Sequence, residues 1–270
     1  MNIFKMEFRR NLKSLLIWSA VSAAITVLLT LLYPSMINSD MLALMNAKIA
    51  ALPKELVESF NLSGEDIRYF PSFFAYFFQF VLMAACIYGA QTGLTALTKE
   101  ESEGTIEFLY AKPTSRPQIV TAKLSAAFAG YLCYFAVIGL FSVIAGMAVR
   151  PENLDLNEMI TAVKSVVLGG MLAGFTYLFL GFLVSVLLRR AKHAASLAVM
   201  LFFGTYIIGS IPKFTGVLDF LKWVSPMNYF QPNNIVASGI DGLNVLIAVL
   251  IMAVSAAVTY ILYRKRDFYV

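Results

Sequence analysis

The chain has 270 residues, of which 59% are hydrophobic and 14% charged, and its net charge is +5. A soluble domain carries about 25% charged residues, so a water-dissolved globular chain is excluded and a bilayer protein is indicated. The basic residues flank apolar runs instead of forming a contiguous surface, which excludes a nucleic-acid partner.

From the N-terminus, residues 2–13 read as an amphipathic helix. Phe4, Phe8 and Leu12 recur every four residues, with Lys5, Arg9 and Lys13 on the other faces. Such a segment is expected to lie in the membrane interface, with residues 1–14 as an interfacial helix, the alternative being a cytoplasmic extension of the first span. The first span follows over 15–33. Its apolar run of about 19 residues and the lack of a small-x-small site mark it as a retained span, not a cleaved leader. The external connection 34–72 carries Met41, Leu42, Met45, Ile49 and Leu52 at helical spacing, then Leu56, Val57 and Phe60 beyond Pro53. One or two short helices on the outer surface are expected there.

Further spans are placed over 73–98, 124–149, 162–188, 194–211 and 243–263, each close to the roughly 20 residues that cross a hydrocarbon core. The second and fourth contain Gly89 and Gly93, and Gly170 and Gly174, two GxxxG pairs that let helix backbones approach within the bundle. Cys86 and Cys133 fall inside apolar runs, where cysteine behaves as a small hydrophobe. The connection 212–242 is aromatic and broken by Pro226 and Pro232, which points to re-entrant or interfacial helices between spans five and six. Ser225 ahead of Pro226 is an expected helix cap.

Orientation follows from the basic residues in alternate connections. One side holds Lys5, Arg9, Arg10 and Lys13, then Lys99, Lys112, Arg116 and Lys123, then Arg189, Arg190 and Lys192, then Arg264, Lys265 and Arg266. These fourteen stand against six on the other side: Lys48, Lys54, Arg68, Arg150, Lys213 and Lys222. The fourteen-residue side is therefore cytoplasmic, and both termini with it.

Chemistry is conspicuous by what the sequence lacks. The single histidine, His193, sits in a basic turn, so histidine-based proteolysis and a histidine metal pair are excluded. No Asp or Glu falls within the six spans, which counts against an ion-coupled carrier or channel, the competing reading. No phosphate loop is present, so an ATPase that drives this chain is a separate polypeptide.

The connection 99–123 is the most informative. Ser115 and Gln118 form an S-x-x-Q capping box, so a helix begins at Arg116 and runs into the third span. Between Gly104 and Pro113, Ile106, Phe108, Leu109 and Tyr110 form a short cytoplasmic helix flanked by charge, a docking element or a solvated connector. The run Glu101-Ser102-Glu103-Gly104-Thr105-Ile106-Glu107-Phe108-Leu109, with Pro113-Thr114-Ser115-Arg116 and Lys123-Leu124, resembles the E-x-x-G-T-L-E-x-L-L-x-x-P-x-S-R and K-L stretch of ABC-2 type permeases. Ser225-Pro226 before the last span and the closing Tyr263-Arg264-Lys265-Arg266-Asp267 agree with that family.

The resemblance implies an all-α permease domain over 1–270 and assigns Glu101, Glu103, Gly104, Thr105, Glu107 and Arg116 to coupling with an ABC ATPase subunit. That partner would bind ATP and Mg, and this chain itself would need no cofactor or metal. Six spans are half a transporter, so a second permease subunit, identical or different, is implied in the plasma membrane. The aromatic, nearly charge-free spans suit export of a hydrophobic or amphipathic substrate.

Overall fold

The computed structural model describes residues 3–53, 57, 67–99, 115–188, 193–215 and 218–265. Among them it is all-helical with no strand. The order is α1 (Ile3–Leu31), α2 (Tyr33–Met36), α3 (Ser39–Ala50), α4 (Phe70–Ala96), α5 (Arg116–Val149), α6 (Leu156–Leu187) and α7 (Ala194–Thr215). A short 3-10 helix (Asp219–Val224), α8 (Pro226–Tyr229), α9 (Pro232–Ser238) and α10 (Gly242–Lys265) complete it. Helices α1, α4, α5, α6, α7 and α10 are long and apolar enough to cross a membrane. Each overlaps one of the spans placed from the sequence, with ends differing by at most two residues at the C-terminal side of the first, second and fourth.

The helix starts follow local chemistry. Pro71 enters α4 in its first turn, where its missing N–H costs nothing. Gln118 Oε1 accepts the Ser115 N–H at 3.0 Å, so α5 begins at Arg116 as the capping pair requires. Asp155 caps α6 by accepting the Asn157 N–H at 3.0 Å, and Asp241 does the same for Leu243 at the head of α10. Ser225 stands at the cap position of α8, but its side chain makes no cap hydrogen bond. Proline at the first position, and not the expected hydroxyl cap, sets that start.

The N-terminal segment differs from the expectation of a separate interfacial helix. Ile3 to Leu31 is one continuous helix of 29 residues. No proline or glycine interrupts residues 3–31, and the segment's Glu7 is drawn inward, so nothing favours a bend into the membrane plane. In the connection between the first two long helices, α2 and α3 are the expected short helices; Leu56 and Phe60 lie outside the described residues. Tyr33 anchors this end, donating to the Arg68 carbonyl at 2.5 Å and packing edge-on against Phe70 and Phe73. Tyr69 donates to Glu158 Oε1 at 2.6 Å; that hydrogen bond, with burial, pushes the phenol up to about 12.

The centre is the pair α4 and α6, whose most apolar stretches are each 67% buried against 17% for α10. Their mutual contact is the most extensive among the described residues; α1 lies on α5, α10 on α6 and α7 on α4. A Cβ at Gly89 would sit 2.7 Å from the Gly174 carbonyl oxygen, and one at Gly93 would be 2.6 Å from the Phe182 nitrogen. One at Gly181 would collide with the Ala90 carbonyl oxygen. Gly174 instead gives room to the Tyr131 hydroxyl, and Gly170 meets the Leu82 and Phe78 side chains. Backbone meets backbone at Gly93 and Gly181, so neither has a side chain that could yield.

Three tyrosine hydroxyls inside the bundle find partners within it, in a medium that offers no water. Tyr131 donates to the Ala85 carbonyl at 2.7 Å, Tyr134 and Ser22 share a 2.8 Å bond, and Tyr177 pairs with Thr205 at 2.8 Å. Trp18, Tyr88, Tyr134 and Tyr131 are in contact in sequence with centroids 5.0 to 5.5 Å apart, joining α1, α4 and α5.

These contacts predict unequal tolerance of alanine. Gly93→Ala and Gly181→Ala should each destabilise the bundle by about 1–3 kcal/mol, the usual cost of overpacking. Gly130→Ala, with nothing within 4 Å of the added methyl, should be neutral. Thermal unfolding in detergent separates the two groups, and equal stability of all three would contradict the close crossing.

Candidate functional site

The candidate site is the end of the bundle where α4 stops and α5 begins, here called the foot. The spacing of α5 explains why it extends beyond a bilayer. Its 34 residues measure about 51 Å at about 1.5 Å per residue, against a hydrocarbon core of about 30 Å. The capping pair at Ser115 and Gln118 thus starts the helix some turns before the apolar zone.

Of the coupling residues taken from the sequence, Arg116 is described, and Glu101, Glu103, Gly104, Thr105 and Glu107 lie outside the described residues. What the structure defines is the frame from which that connection departs and to which it returns. Arg116 Nη1 donates to the Arg264 carbonyl at 2.9 Å, and the Thr121 and Tyr260 hydroxyls share a 2.7 Å bond. Leu97, Val120, Phe182, Val186 and Tyr263 form a small apolar cluster beside them. The ends of α4, α5, α6 and α10 are therefore tied together at this level.

Sequence reasoning missed the centre of the foot. Lys123 counts among the orienting cations by position, yet its side chain is only 1% exposed. Its ammonium lies 3.2 Å from Glu7 Oε1, whose side chain is 4% exposed, and donates to the Ala96 carbonyl at 2.8 Å. Arg10 reaches the other Glu7 oxygen at 3.2 Å. Ile3 and Ile119 pack alongside. One buried lysine thus joins the start of α1, the last turn of α4 and the first turns of α5. Glu7 and Lys123 are 116 positions apart, so no local pattern brings them together; the hint was a carboxylate at the edge of an otherwise basic stretch.

A buried ion pair is held by mutual neutralisation, since either charge alone in an apolar setting is expensive. Lys123 has two acceptors, the carboxylate and a carbonyl of the helix end, where a cation also meets the negative pole of the helix dipole. The arrangement is a joint among three helices. Among the described residues no cluster of His, Cys, Asp or Glu could hold a metal ion. His193 is exposed at the start of the turn into α7.

At the opposite end, the connection between α7 and α10 folds into the 3-10 helix, α8 and α9, packed on the bundle. Pro226, Met227, Tyr229, Phe230, Pro232 and Ile235 are buried there. Leu218 takes a left-handed conformation, φ 68°, to turn the chain into the 3-10 helix. A residue with a Cβ adopts this region at a cost of about 1–2 kcal/mol.

Compared with known families, the chain matches the family model described as ABC-2 family transporter protein over residues 1–268. No curated protein matches the chain.

The joint predicts a specific pattern of losses. Glu7→Ala should destabilise the protein by about 3–5 kcal/mol, because Lys123 is left as an uncompensated buried charge. Replacing both, Glu7→Leu with Lys123→Met, should recover most of that loss. Thermal unfolding of the single and double variants in detergent measures both; a single variant as stable as the parent would show the pair to be solvated.

Proposed function

The chain belongs to the ABC-2 family of transporter proteins and is a membrane permease, not itself an ATPase, and on that premise we propose that it forms the pathway of an ATP-driven exporter. In this reading two permease subunits assemble with separate ATPase subunits, which bind ATP and Mg. Both termini and the foot face the cytoplasm of a plasma membrane, and the cargo is hydrophobic or amphipathic.

The observation that carries the coupling role is the joint at the foot. The connection 100–114, which resembles the family's coupling stretch, leaves beyond the end of α4 at Ala96 and enters α5 at Arg116, about two turns before Lys123, and both helix ends are tied to α1 through Lys123 and Glu7. A force applied to that connection is passed to three spans at once. Glu101, Glu103, Gly104, Thr105, Glu107 and Arg116 are proposed to carry the ATPase contact. The fourteen-to-six distribution of basic residues supports the cytoplasmic placement.

Burial supports a pathway between copies. Phe78, Leu82, Tyr131, Tyr177 and Phe182 fill the middle of the chain and are at most 2% exposed. A passage through one copy would have to displace them. A passage between two copies would use the outer faces, which are apolar and suit the proposed cargo.

Cysteines placed at Asn61 and Asn153 in a background lacking Cys86 and Cys133 should label from outside, and those at Ser102 and Lys192 only after permeabilisation. Labelling of Ser102 in intact cells would reverse the proposed topology. Glu103→Lys, Glu107→Lys and Gly104→Val should express normally yet lose the copurifying ATPase or ATP-dependent export, because like charges at an interface weaken assembly. Full assembly and export in all three would leave the connection as a solvated loop.

A further inference from the structure

We propose that the pocket at the end of the bundle away from the foot binds a zwitterionic phospholipid headgroup of the phosphoethanolamine type. The cavity measures about 430 Å³ and lies between the end of α7, the 3-10 helix, α8, α9 and the start of α10. Its lining is unlike that of the groove between α1 and α5, whose walls are almost wholly apolar. Here the walls carry Asp219, Lys222, Trp223, Gln231, Asn234 and Asn244.

The two charges are set for a dipolar ligand. Asp219 and Lys222 are three residues apart on a 3-10 helix, where side chains at that spacing eclipse on one face about 6 Å apart along the axis. They make no ion pair with each other among the described residues. The Lys222 ammonium instead lies 5.5 Å from the centre of the Trp223 ring, which holds it by cation–π attraction. A ligand with an anion and a cation joined by a short two-carbon spacer meets both at once, phosphate to Lys222 and ammonium to Asp219. A ligand with a single charge meets one and is repelled by the other.

The carboxamides complete the complement. Asn228 Nδ2 donates to the Gly209 carbonyl at 2.9 Å and Asn244 Nδ2 to the Tyr229 carbonyl at 3.1 Å, which fixes both side chains. Tyr229 donates to the Trp223 carbonyl and so holds the 3-10 helix against α8. The contacts from Gln231 to Asn228 and from Asn234 to Gln231 are long, 3.4 and 3.5 Å, and leave these amides largely free to turn to a ligand. The Asn234 and Asn244 side-chain oxygens accept no hydrogen bond among the described residues. They suit the hydrogens of a primary ammonium.

A lipid, and not a free solute, is indicated by what surrounds the pocket. Leu218, Phe220 and Val224, on or beside the same short helix, are 47%, 64% and 38% exposed. Apolar and aromatic side chains presented beside a polar pocket at the end of a membrane bundle belong at the headgroup level, where acyl chains cover them. Which leaflet is meant rests on the topology proposed above; the binding chemistry does not.

The test uses Trp223 as reporter. The chain has two tryptophans, so Trp18→Phe leaves Trp223 alone in the purified full chain in detergent. Phosphoethanolamine should change its fluorescence saturably, and inorganic phosphate or ethanolamine should bind about tenfold more weakly, as loss of one charged hydrogen bond implies. Lys222→Gln and Asp219→Asn, both at exposed positions, should each weaken phosphoethanolamine by about tenfold. In nanodiscs, native mass spectrometry should show phosphatidylethanolamine retained over phosphatidylglycerol by the parent and not by the Lys222→Gln variant. An equal response to phosphate alone, indifference to both substitutions, or retention of phosphatidylglycerol would overturn the proposal. The titration needs neither the ATPase nor a membrane orientation, so a failed export assay and a failed titration are separate outcomes.

Discussion

The close crossing of α4 and α6 is the constraint on which the other helices depend. Between helices in a bilayer the hydrophobic effect supplies no drive, because lipid tails are as apolar as leucine. Association must come from close packing, and backbones approach only where side chains are missing. Gly89 and Gly93 of α4 meet Gly174, Leu178 and Phe182 of α6, and Gly181 meets Ala90. With that pair in the middle, α1 and α5, α7, and α10 each find one face to lie on and keep another for lipid. The exposed leucines and valines of α10, such as Leu246, Leu250 and Val254, belong to such a lipid face.

Close packing then brings tyrosine hydroxyls against partners on neighbouring helices. The room made by Gly174 is taken by the Tyr131 ring, which carries its hydroxyl to the Ala85 carbonyl. Tyr134 does the same for Ser22 on α1. An unpaired hydroxyl in hydrocarbon costs several kcal/mol, so these bonds fix the register of α1, α4 and α5 even where their apolar contacts could slide.

The two ends of the bundle use charge in opposite ways. At the foot, Glu7 and Lys123 are withdrawn from water and neutralise one another, which makes a stiff connection among three helices. At the far end, Asp219 and Lys222 lie in an open pocket and stay apart. A buried pair has nothing left to offer a ligand, and a separated pair does. That contrast supports a mechanical role for the first and a recognition role for the second.

Much of this was legible in the residues. The six spans, the start of α5 at Arg116 and the short helices beyond the first span follow from apolar run length and from capping chemistry, both of which act over a few neighbouring positions. The family resemblance rested on a stretch with similarly local features. Two expectations failed for one reason. The N-terminal segment had the period of an interfacial helix, but Glu7 is drawn in by Lys123, a partner more than a hundred positions away. Ser225 had the chemistry of a cap, but its environment is decided by the packing of α8 on the bundle. By itself the sequence determined how many helices are long and apolar enough to cross a membrane and where several of them begin, because helix formation and transfer into lipid are local events. Which charges are buried together, which glycines touch backbone and where a polar pocket opens were decided only by the tertiary structure, because each depends on distant helices meeting at one place.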